Sequence, residues 1–194
     1  MSLTRRCCWS AAVACLLASA AGAEAWEFTL DPERSDVKMS LGATLHTVPG
    51  EVPIESGRIR YDAEAGTASG RVVIQAGLLD TGIDARNEKM HELVLVSAEH
   101  PEIVFEARGF ELRQKSDDEM RFVLRGDLTL VGATHALELE THAVRKPDGR
   151  WRARAKVTIP YVEWGLVDPS MFLFSVEKYV TLEVKAVGPV ERVR

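Results

Sequence analysis

Residues 36–45 read DVKMSLGATL, a stretch in which apolar side chains alternate with small or polar ones without a break. The apolar positions, all of one parity, are Val37, Met39, Leu41, Ala43 and Leu45. Side chains along a β-strand point alternately to its two faces. The pattern therefore predicts a strand that has one face inside the protein and one face towards solvent.

Similar alternation recurs in seven further segments of the chain. They cover residues 59–61, 68–76, 103–107, 122–130, 137–139, 151–159 and 180–186. Turn-forming sequences such as Pro49-Gly50, Val131-Gly132 and Pro147-Asp148-Gly149 lie between them. Short strands separated by turn sequences are typical of antiparallel barrels and sandwiches, so we do not expect a parallel sheet.

One segment, residues 84–95, departs from this alternation. Its apolar residues Met90, Leu93 and Val94 recur at helical spacing, and Asp84 stands where an N-cap is expected. Pro101 then separates the segment from the next strand. These features predict one short helix between two strands.

Small residues occupy several apolar strand positions. They are Ala43, Ala76, Ala107, Gly126, Ala153 and Ala155. A barrel of ~8 strands has an interior that can hold one apolar ligand, and small side chains would leave room for it. The alternative is that these residues fit a taper or a bulge in a fully packed core. Composition leaves both interpretations open.

The N-terminal residues have the order of a secretory signal peptide. Arg5 and Arg6 precede a run of small and apolar residues at 11–21, and small-x-small cleavage sequences follow it. We predict a cleaved signal peptide over residues 1–23 and one domain over residues 24–194. All three cysteines lie in the leader, so no disulfide or thiolate metal site is expected in the domain.

Composition restricts the class of protein further. The 194 residues carry a net charge of −5, and cleavage would remove two arginines and leave a more acidic chain. A basic surface for nucleic acid is therefore not expected. The leader run is too short to span a membrane, and no comparable run follows it, so we expect no stable membrane anchor.

Four motifs, in order, resemble those of the YceI-like family. They are Phe28-Thr29-Leu30-Asp31-Pro32 with Ser35 and Val37, residues 79–91 (LDTGIDARNEKMH), Ser97 with Pro101, Ile103 and Phe105, and residues 126–135 (GDLTLVGATH). The resemblance runs from about Trp26 to Ala186. The chain differs from the family at Asn87, where an Asp commonly follows the arginine.

The resemblance implies an all-β fold, an antiparallel lipocalin-like β-barrel of about eight strands with one short helix. It also implies a periplasmic protein whose apolar pore holds a polyisoprenoid or another long-chain amphiphile such as a quinone. No catalytic residues come with the family. No nucleophile elbow, zinc-protease motif or phosphate loop is present either, so we expect no enzyme activity and no cofactor.

The apolar strand faces supply the candidate ligand-binding residues. We predict that the pore is lined by Val37, Met39, Leu41, Ala43, Ile74, Phe105, Leu128, Phe172 and Phe174. Late aromatic residues could line or cover the pore or belong to an ordinary core; they are Trp151, Tyr161, Trp164, Phe172 and Phe174.

Arg86 is the candidate for a ligand head group, because a guanidinium binds phosphate through two parallel hydrogen bonds. The alternative, a commoner role for an arginine, is that it braces the helix. The five histidines are His46, His91, His100, His135 and His142. None has the spacing of a metal site, and His135 and His142 should face opposite sides of their strand.

A second functional hypothesis remains beside the lipid carrier. The barrel could be filled by its own side chains, and the protein could then act through its surface as an interaction or stress protein. An uncovered sheet edge would also make a homodimer accessible.

Overall fold

The computed structural model describes residues 25–170 and 175–193, so the predicted signal peptide (residues 1–23) lies outside the described residues. The strands are β1 (Ala25–Thr29), β2 (Asp36–Gly42), β3 (Thr47–Asp62), β4 (Thr67–Gln75), β5 (Glu102–Lys115), β6 (Glu119–Leu130), β7 (Ala133–Arg145), β8 (Trp151–Ile159), β9 (Val180–Gly188) and β10 (Val190–Val193). The helical segments are two 3-10 turns at Pro32–Arg34 and Ala76–Leu78, helix α1 (Asp84–Lys89) and a π turn at Met90–Val94.

The strands form one antiparallel sheet that closes into a barrel. Its order is β10-β1-β3-β2-β9-β8-β7-β6-β5-β4, and β4 returns to pair with β3. Eight strands, β2 to β9, make the closed part. The predicted fold class, an antiparallel barrel of eight strands with one short helix, is confirmed.

The two remaining strands extend one side of the barrel. β2 pairs with Thr47–Pro53 of β3, and β1 pairs with Arg58–Asp62 farther along the same edge of that strand. β10 pairs with β1 in the same way that β9 pairs with β2. The long bent β3 is therefore shared by the barrel and its extension.

The alternation in β2 corresponds to the two faces of the wall. Val37 is buried, Met39 and Leu41 are half-buried, and Lys38 and Ser40 between them are exposed. Asp36 departs from the pattern, because it is buried although it is charged. An ion pair with Lys185 on the neighbouring strand β9 accounts for its position.

The helix is found where it is predicted, but its start differs. Asp84 is the first helical residue, the N-cap position is Ile83, and no side chain caps the helix. The prediction of Asp84 as N-cap is therefore wrong by one residue. After Lys89 the chain widens into the π turn, in which the Leu95 N–H donates to the Met90 carbonyl at 2.8 Å.

The two ends of the barrel differ, and we call them the mouth and the floor. The mouth carries the β2–β3 hairpin, the β4–β5 connection with α1, the β6–β7 turn and the β8–β9 connection. The floor carries the three short turns β3–β4, β5–β6 and β7–β8. At the floor the rings of Tyr61, Phe110 and Phe122 stack in series, with centroids 4.6 and 4.7 Å apart. No helix among the described residues is long and apolar enough to cross a membrane.

Candidate functional site

A cavity of about 1000 Å³ occupies the barrel interior. Its wall runs from Ile83 and Leu93 at the mouth to Tyr61 and Phe122 near the floor, and it contains side chains from every strand of the closed barrel. Most of these side chains are aliphatic or aromatic. A volume at the upper end of the ~300–1,000 Å³ range of small-molecule sites suits a large apolar ligand. The described side chains therefore do not fill the barrel.

The structure places most of the predicted pore residues on this wall. The cavity is lined by Val37, Met39, Leu41, Ile74, Phe105 and Leu128. Ala43 is not part of the wall, because β2 ends at Gly42 and Ala43 forms an isolated bridge with Val176. Phe172 and Phe174 lie outside the described residues. The contact of these residues with a ligand stays a prediction.

The small residues divide between the two interpretations that composition leaves open. Ala153 and Ala155 line the cavity, so they leave space for a ligand. Gly126 instead accommodates a neighbour: a Cβ there would lie 2.6 Å from the Phe105 ring and 2.2 Å from the Glu106 carbonyl. Small side chains on these strand faces therefore have two different structural causes. Some leave open space in the cavity, and others allow a neighbouring strand or ring to approach closely.

A cluster of polar side chains fixes the chain at the mouth. The backbone groups of Asp80 and Glu51 exchange two hydrogen bonds of 2.8 and 2.9 Å, which tie the β4–β5 connection to β3. The Asn87 carboxamide accepts from the N–H and hydroxyl of Thr81 at 2.9 and 2.6 Å and donates to Asp80 at 2.7 Å. Arg86 donates from Nε to the Thr81 hydroxyl at 2.8 Å and from Nη2 to its carbonyl at 2.5 Å.

Arg86 thus braces the helix against Thr81, which is the alternative to a head-group role that the sequence leaves open. Its side chain also lines the cavity. Lys89, one helical turn later, lines the cavity as well, and has no ion-pair partner among the described residues. Sequence reasoning missed Lys89, although its i+3 spacing from Arg86 on the predicted helix would have pointed to it. Two cations therefore line the cavity at its mouth.

Two carboxylates also lie at the mouth. The Gly82 backbone N–H, followed by the Asn87 side chain, holds the pKa of Asp80 below its usual range. Hydrogen bonds from the Ser170 side chain and backbone hold the pKa of Asp168 below its usual range, and Lys178 lies 3.9 Å away. Asp168 lines the cavity and Asp80 does not, so the mouth presents charges of both signs to a ligand.

The two described non-glycine residues with a positive φ lie at the same end of the barrel. Val96 and Val131 have φ values of 44° and 49°, in the left-handed region that β-branched residues avoid. Val96 follows the π turn, and Val131 forms the β6–β7 turn with Gly132. Strained backbone and π turns are frequent at functional sites. The strand alternation contains no signal for either feature.

The wall is divided near the mouth, where β7 and β8 separate. The two strands pair only through Thr141–Arg145 and Trp151–Ala155, so residues 133–140 and 156–159 are not paired with each other. The chain after β8 packs there: the ring of Trp164 stacks on His135 with centroids 4.2 Å apart. Side-chain packing thus completes this part of the wall.

Two tyrosines line opposite ends of the cavity. The Tyr161 hydroxyl donates to the Glu177 carbonyl at 2.8 Å, and burial, followed by the charge of Asp168, raises the pKa of Tyr161 to about 12. Burial alone raises the pKa of Tyr61 to about 12. Both phenols are therefore neutral at physiological pH. Of the other late aromatic residues, Trp151 begins β8 at the floor, away from Tyr161 and Trp164.

The histidines are dispersed. His135 is on the inward face of β7, and His142 is on the outward face, where it contacts Glu119 at 2.8 Å. The His91 Nε2 lies 3.0 Å from the Leu79 carbonyl, which requires the proton on that nitrogen. The described residues contain no group of three or more His, Cys, Asp or Glu that could hold a metal ion.

Comparisons with solved structures agree on the architecture. BcnA of Burkholderia cenocepacia is 12% identical, with a TM-score of 0.67 over 82% of this chain and 99% of its own. A polyisoprenoid binding domain from Saccharophagus degradans, implicated in plant cell wall breakdown, is 14% identical, with a TM-score of 0.63 over 86% of this chain and 98% of its own. The YceI protein of Campylobacter jejuni is 12% identical, with a TM-score of 0.59 over 78% and 88% of the two chains.

At these identities the structural likeness establishes the fold alone. No curated protein sequence matches the chain significantly. The family comparison adds the decisive finding, because the model of the YceI-like domain matches residues 28–188 and so covers nearly the whole barrel. The chain belongs to the YceI-like family.

Proposed function

We propose that the protein is a secreted periplasmic binding protein that holds one polyisoprenoid, quinone or other long-chain lipid inside its barrel. The observation that carries the proposal is the cavity of about 1000 Å³ with a predominantly apolar wall from mouth to floor. Burial of hydrocarbon stabilises a complex by ~25 cal/mol per Å², so a long chain would gain much of its binding free energy there.

The polar groups of the cavity support a bound amphiphile with its head at the mouth. Arg86, Lys89, Asp168 and Ser170 lie at that end of the wall, whereas the deep part is lined mostly by aliphatic and aromatic side chains, with Thr141 and Arg154 as polar exceptions. The similarity to a polyisoprenoid binding domain agrees with such a ligand. The surface-acting alternative requires a barrel filled by its own side chains, and the cavity argues against that.

We also propose that the protein acts by binding rather than by catalysis. The threonine hydroxyls on the cavity wall are engaged in structural hydrogen bonds: Thr81 contacts Arg86 and Asn87, and Thr141 donates to the Leu139 carbonyl. The signal peptide predicted for residues 1–23 supports export, and the periplasm is the compartment that the family resemblance implies.

Native mass spectrometry of the secreted protein, with an organic extract of the same sample, tests the binding proposal. We expect one long-chain lipid per barrel. The proposal fails if no lipid co-purifies and if the delipidated protein also takes up neither a polyprenyl phosphate nor a long-chain quinone from solution.

A pair of variants places the ligand inside the barrel. Leu41→Arg introduces a charge into the cavity wall, whereas Ser40→Arg introduces the same charge on the exposed face of the same strand. Because an unpaired charge in an apolar site is strongly unfavourable, we expect Leu41→Arg to reduce lipid occupancy by roughly tenfold or more. Equal occupancy in the two variants would contradict a ligand in this cavity.

A further inference from the structure

The large hydrophobic side chains that are well exposed in the described part of the chain are all at one end of the barrel. Among the described residues, the large hydrophobic side chains with high exposure are Leu45, Leu78, Ile83, Leu93, Val167 and Tyr179. Every one lies in a mouth connection: one in the β2–β3 hairpin, three in the β4–β5 connection and two in the β8–β9 connection. We call these six side chains the apolar rim. The floor and the outer wall contribute none of them.

The apolar rim is continuous with the cavity. Ile83, Leu93 and Val167 are 53%, 57% and 55% exposed and also belong to the cavity wall. Single exposed hydrophobic residues are ordinary, but a cluster around a binding site marks a surface that meets an apolar partner. Apolar side chains therefore connect the exposed surface at the mouth with the interior of the barrel, beside the charged groups of Arg86, Lys89 and Asp168.

We propose that the apolar rim docks the mouth of the barrel onto a phospholipid bilayer. This inference rests on the proposed function, because a long-chain lipid resides in a bilayer and has negligible solubility in water. Docking would insert the rim side chains among the acyl chains and place the cavity mouth against the hydrocarbon region. The lipid could then move between bilayer and barrel without exposing its chain to water.

The shape of the rim favours a bilayer over a rigid protein partner. The rim side chains come from three separate connections, and three of the six also line the cavity at its open end. A flat protein surface placed on them would leave a void over that opening, and the side chains lining a void lose their dispersion contacts. Fluid acyl chains can enter the opening and remove the void.

The charges beside the rim favour a bilayer over a second copy of this chain. Exposed carboxylates on α1 and the π turn, from Asp84, Glu88 and Glu92, outnumber the cations Arg86 and Lys89. A two-fold mouth-to-mouth dimer would bring two such acidic surfaces together, which costs free energy. A zwitterionic bilayer presents no net charge, and its phosphates can still pair with Lys89.

The test compares rim variants in co-sedimentation with phosphatidylcholine vesicles. The triple variant Leu45→Ser, Leu78→Ser, Tyr179→Ser changes three rim side chains that do not line the cavity. Its matched control, Leu45→Ile, Leu78→Ile, Tyr179→Phe, keeps the three side chains apolar. We expect the serine variant to bind vesicles more weakly by roughly a factor of ten or more, and the control to bind like the wild type.

Uptake of a soluble short-chain quinone by each variant, measured without vesicles, separates docking from ligand binding. Vesicle binding that is lost while quinone uptake is retained supports the proposal. A wild-type protein that takes up quinone but does not bind vesicles overturns the docking and leaves the proposed function intact. Equal vesicle binding by both triple variants also overturns it, as does a wild-type dimer in solution that the serine variant alone converts to monomer.

The composition of the vesicles provides a second readout. Because carboxylates predominate beside the rim, added phosphatidylglycerol should weaken binding at low salt, and salt should restore it. Binding that strengthens with phosphatidylglycerol and is abolished by salt would overturn docking through apolar insertion.

Discussion

The mouth and the floor of the barrel join the same strands but reverse the chain in different ways. At the floor, residues 63–66, 116–118 and 146–150 suffice for the turns, and the Tyr61–Phe110–Phe122 stack fills the interior. At the mouth, the connections 76–101 and 160–179 are much longer and carry the π turn, the left-handed backbone of Val96, the partly buried polar cluster and five of the six side chains of the apolar rim. From this difference we expect the floor to contribute most to the stability of the fold, and the mouth to carry the proposed binding function.

The largest expected effect comes from removing an aromatic ring at the floor. Phe110 is 3% exposed and stacks on both Tyr61 and Phe122, so Phe110→Ala should lower the free energy of unfolding by about 3–5 kcal/mol. At the mouth, Leu93 is 57% exposed, and Leu93→Ala should cost less than about 0.5 kcal/mol. Denaturant unfolding of both variants measures the difference. Similar losses would remove the division of roles between the two ends.

A smaller effect is expected from Arg86→Ala, which removes the brace on Thr81. Hydrogen bonds to charged groups contribute about 1.5–3 kcal/mol, and the partial exposure of Arg86 places the expected loss of stability at the lower end. If the guanidinium also meets a head group, the variant should bind a polyprenyl pyrophosphate more weakly but retain its affinity for a neutral quinone. Lys89→Ala is the control that changes charge without the brace. Equal losses for both ligands would assign Arg86 a structural role alone.

Asn87→Asp should destabilise the mouth in a pH-dependent manner. The amide of Asn87 donates to Asp80, and a carboxylate in its place would repel Asp80 at neutral pH. The pKa of Asp80 is lowered in the folded wild type, so its contribution to stability is lost only as the pH falls through that lowered value. In Asn87→Asp, the repulsion between the two carboxylates at positions 80 and 87 should raise the pKa of the pair. Binding of one proton would then remove the repulsion.

The stability difference between Asn87→Asp and the wild type should therefore shrink as the pH falls towards about 4. Thermal unfolding across this range provides the measurement, and Glu88→Gln, a charge change on the exposed side of the same helix, is the control. A difference that stays constant with pH would show that Asn87 does not act through Asp80.

The walls of the barrel were more predictable than its ends. Period-two alternation reports which face of a strand is buried, and it places Val37, Met39 and Leu41 on one wall. Alternation does not indicate where a strand ends, so the pattern places Ala43 in the pore although β2 ends one residue earlier, at Gly42. Neither the left-handed φ of Val96 nor the separation of β7 and β8 has a local sequence signal. Both depend on packing between distant segments.

The functional end is difficult to predict for the same reason. The spacing of Arg86 and Asn87 on a helix is visible in the sequence, but their shared partner Thr81 appears only when the connection folds back. The apolar rim is even harder to predict from the sequence. Leu45 belongs to the same alternating run as Leu41, yet it is 82% exposed in the hairpin. The alternation of apolar and polar residues therefore does not predict which side chains are exposed where the chain turns.

The smallest expected effect compares the two tyrosines that line opposite ends of the cavity. Tyr161→Phe removes the hydrogen bond to the Glu177 carbonyl and should cost about 1 kcal/mol near neutral pH, whereas Tyr61→Phe removes no hydrogen bond to a described residue and should cost almost nothing.

Alkaline pH provides a second measurement, which tests whether the Tyr61 hydroxyl is shielded from water. Burial raises the pKa of Tyr61 from 10.0 to about 12, so the folded protein retains a proton that the unfolded chain releases. Wild-type stability should therefore fall between these two pH values, and Tyr61→Phe should lose less. If the wild type and Tyr61→Phe lose stability in parallel there, the Tyr61 hydroxyl is not desolvated and the floor is open to water.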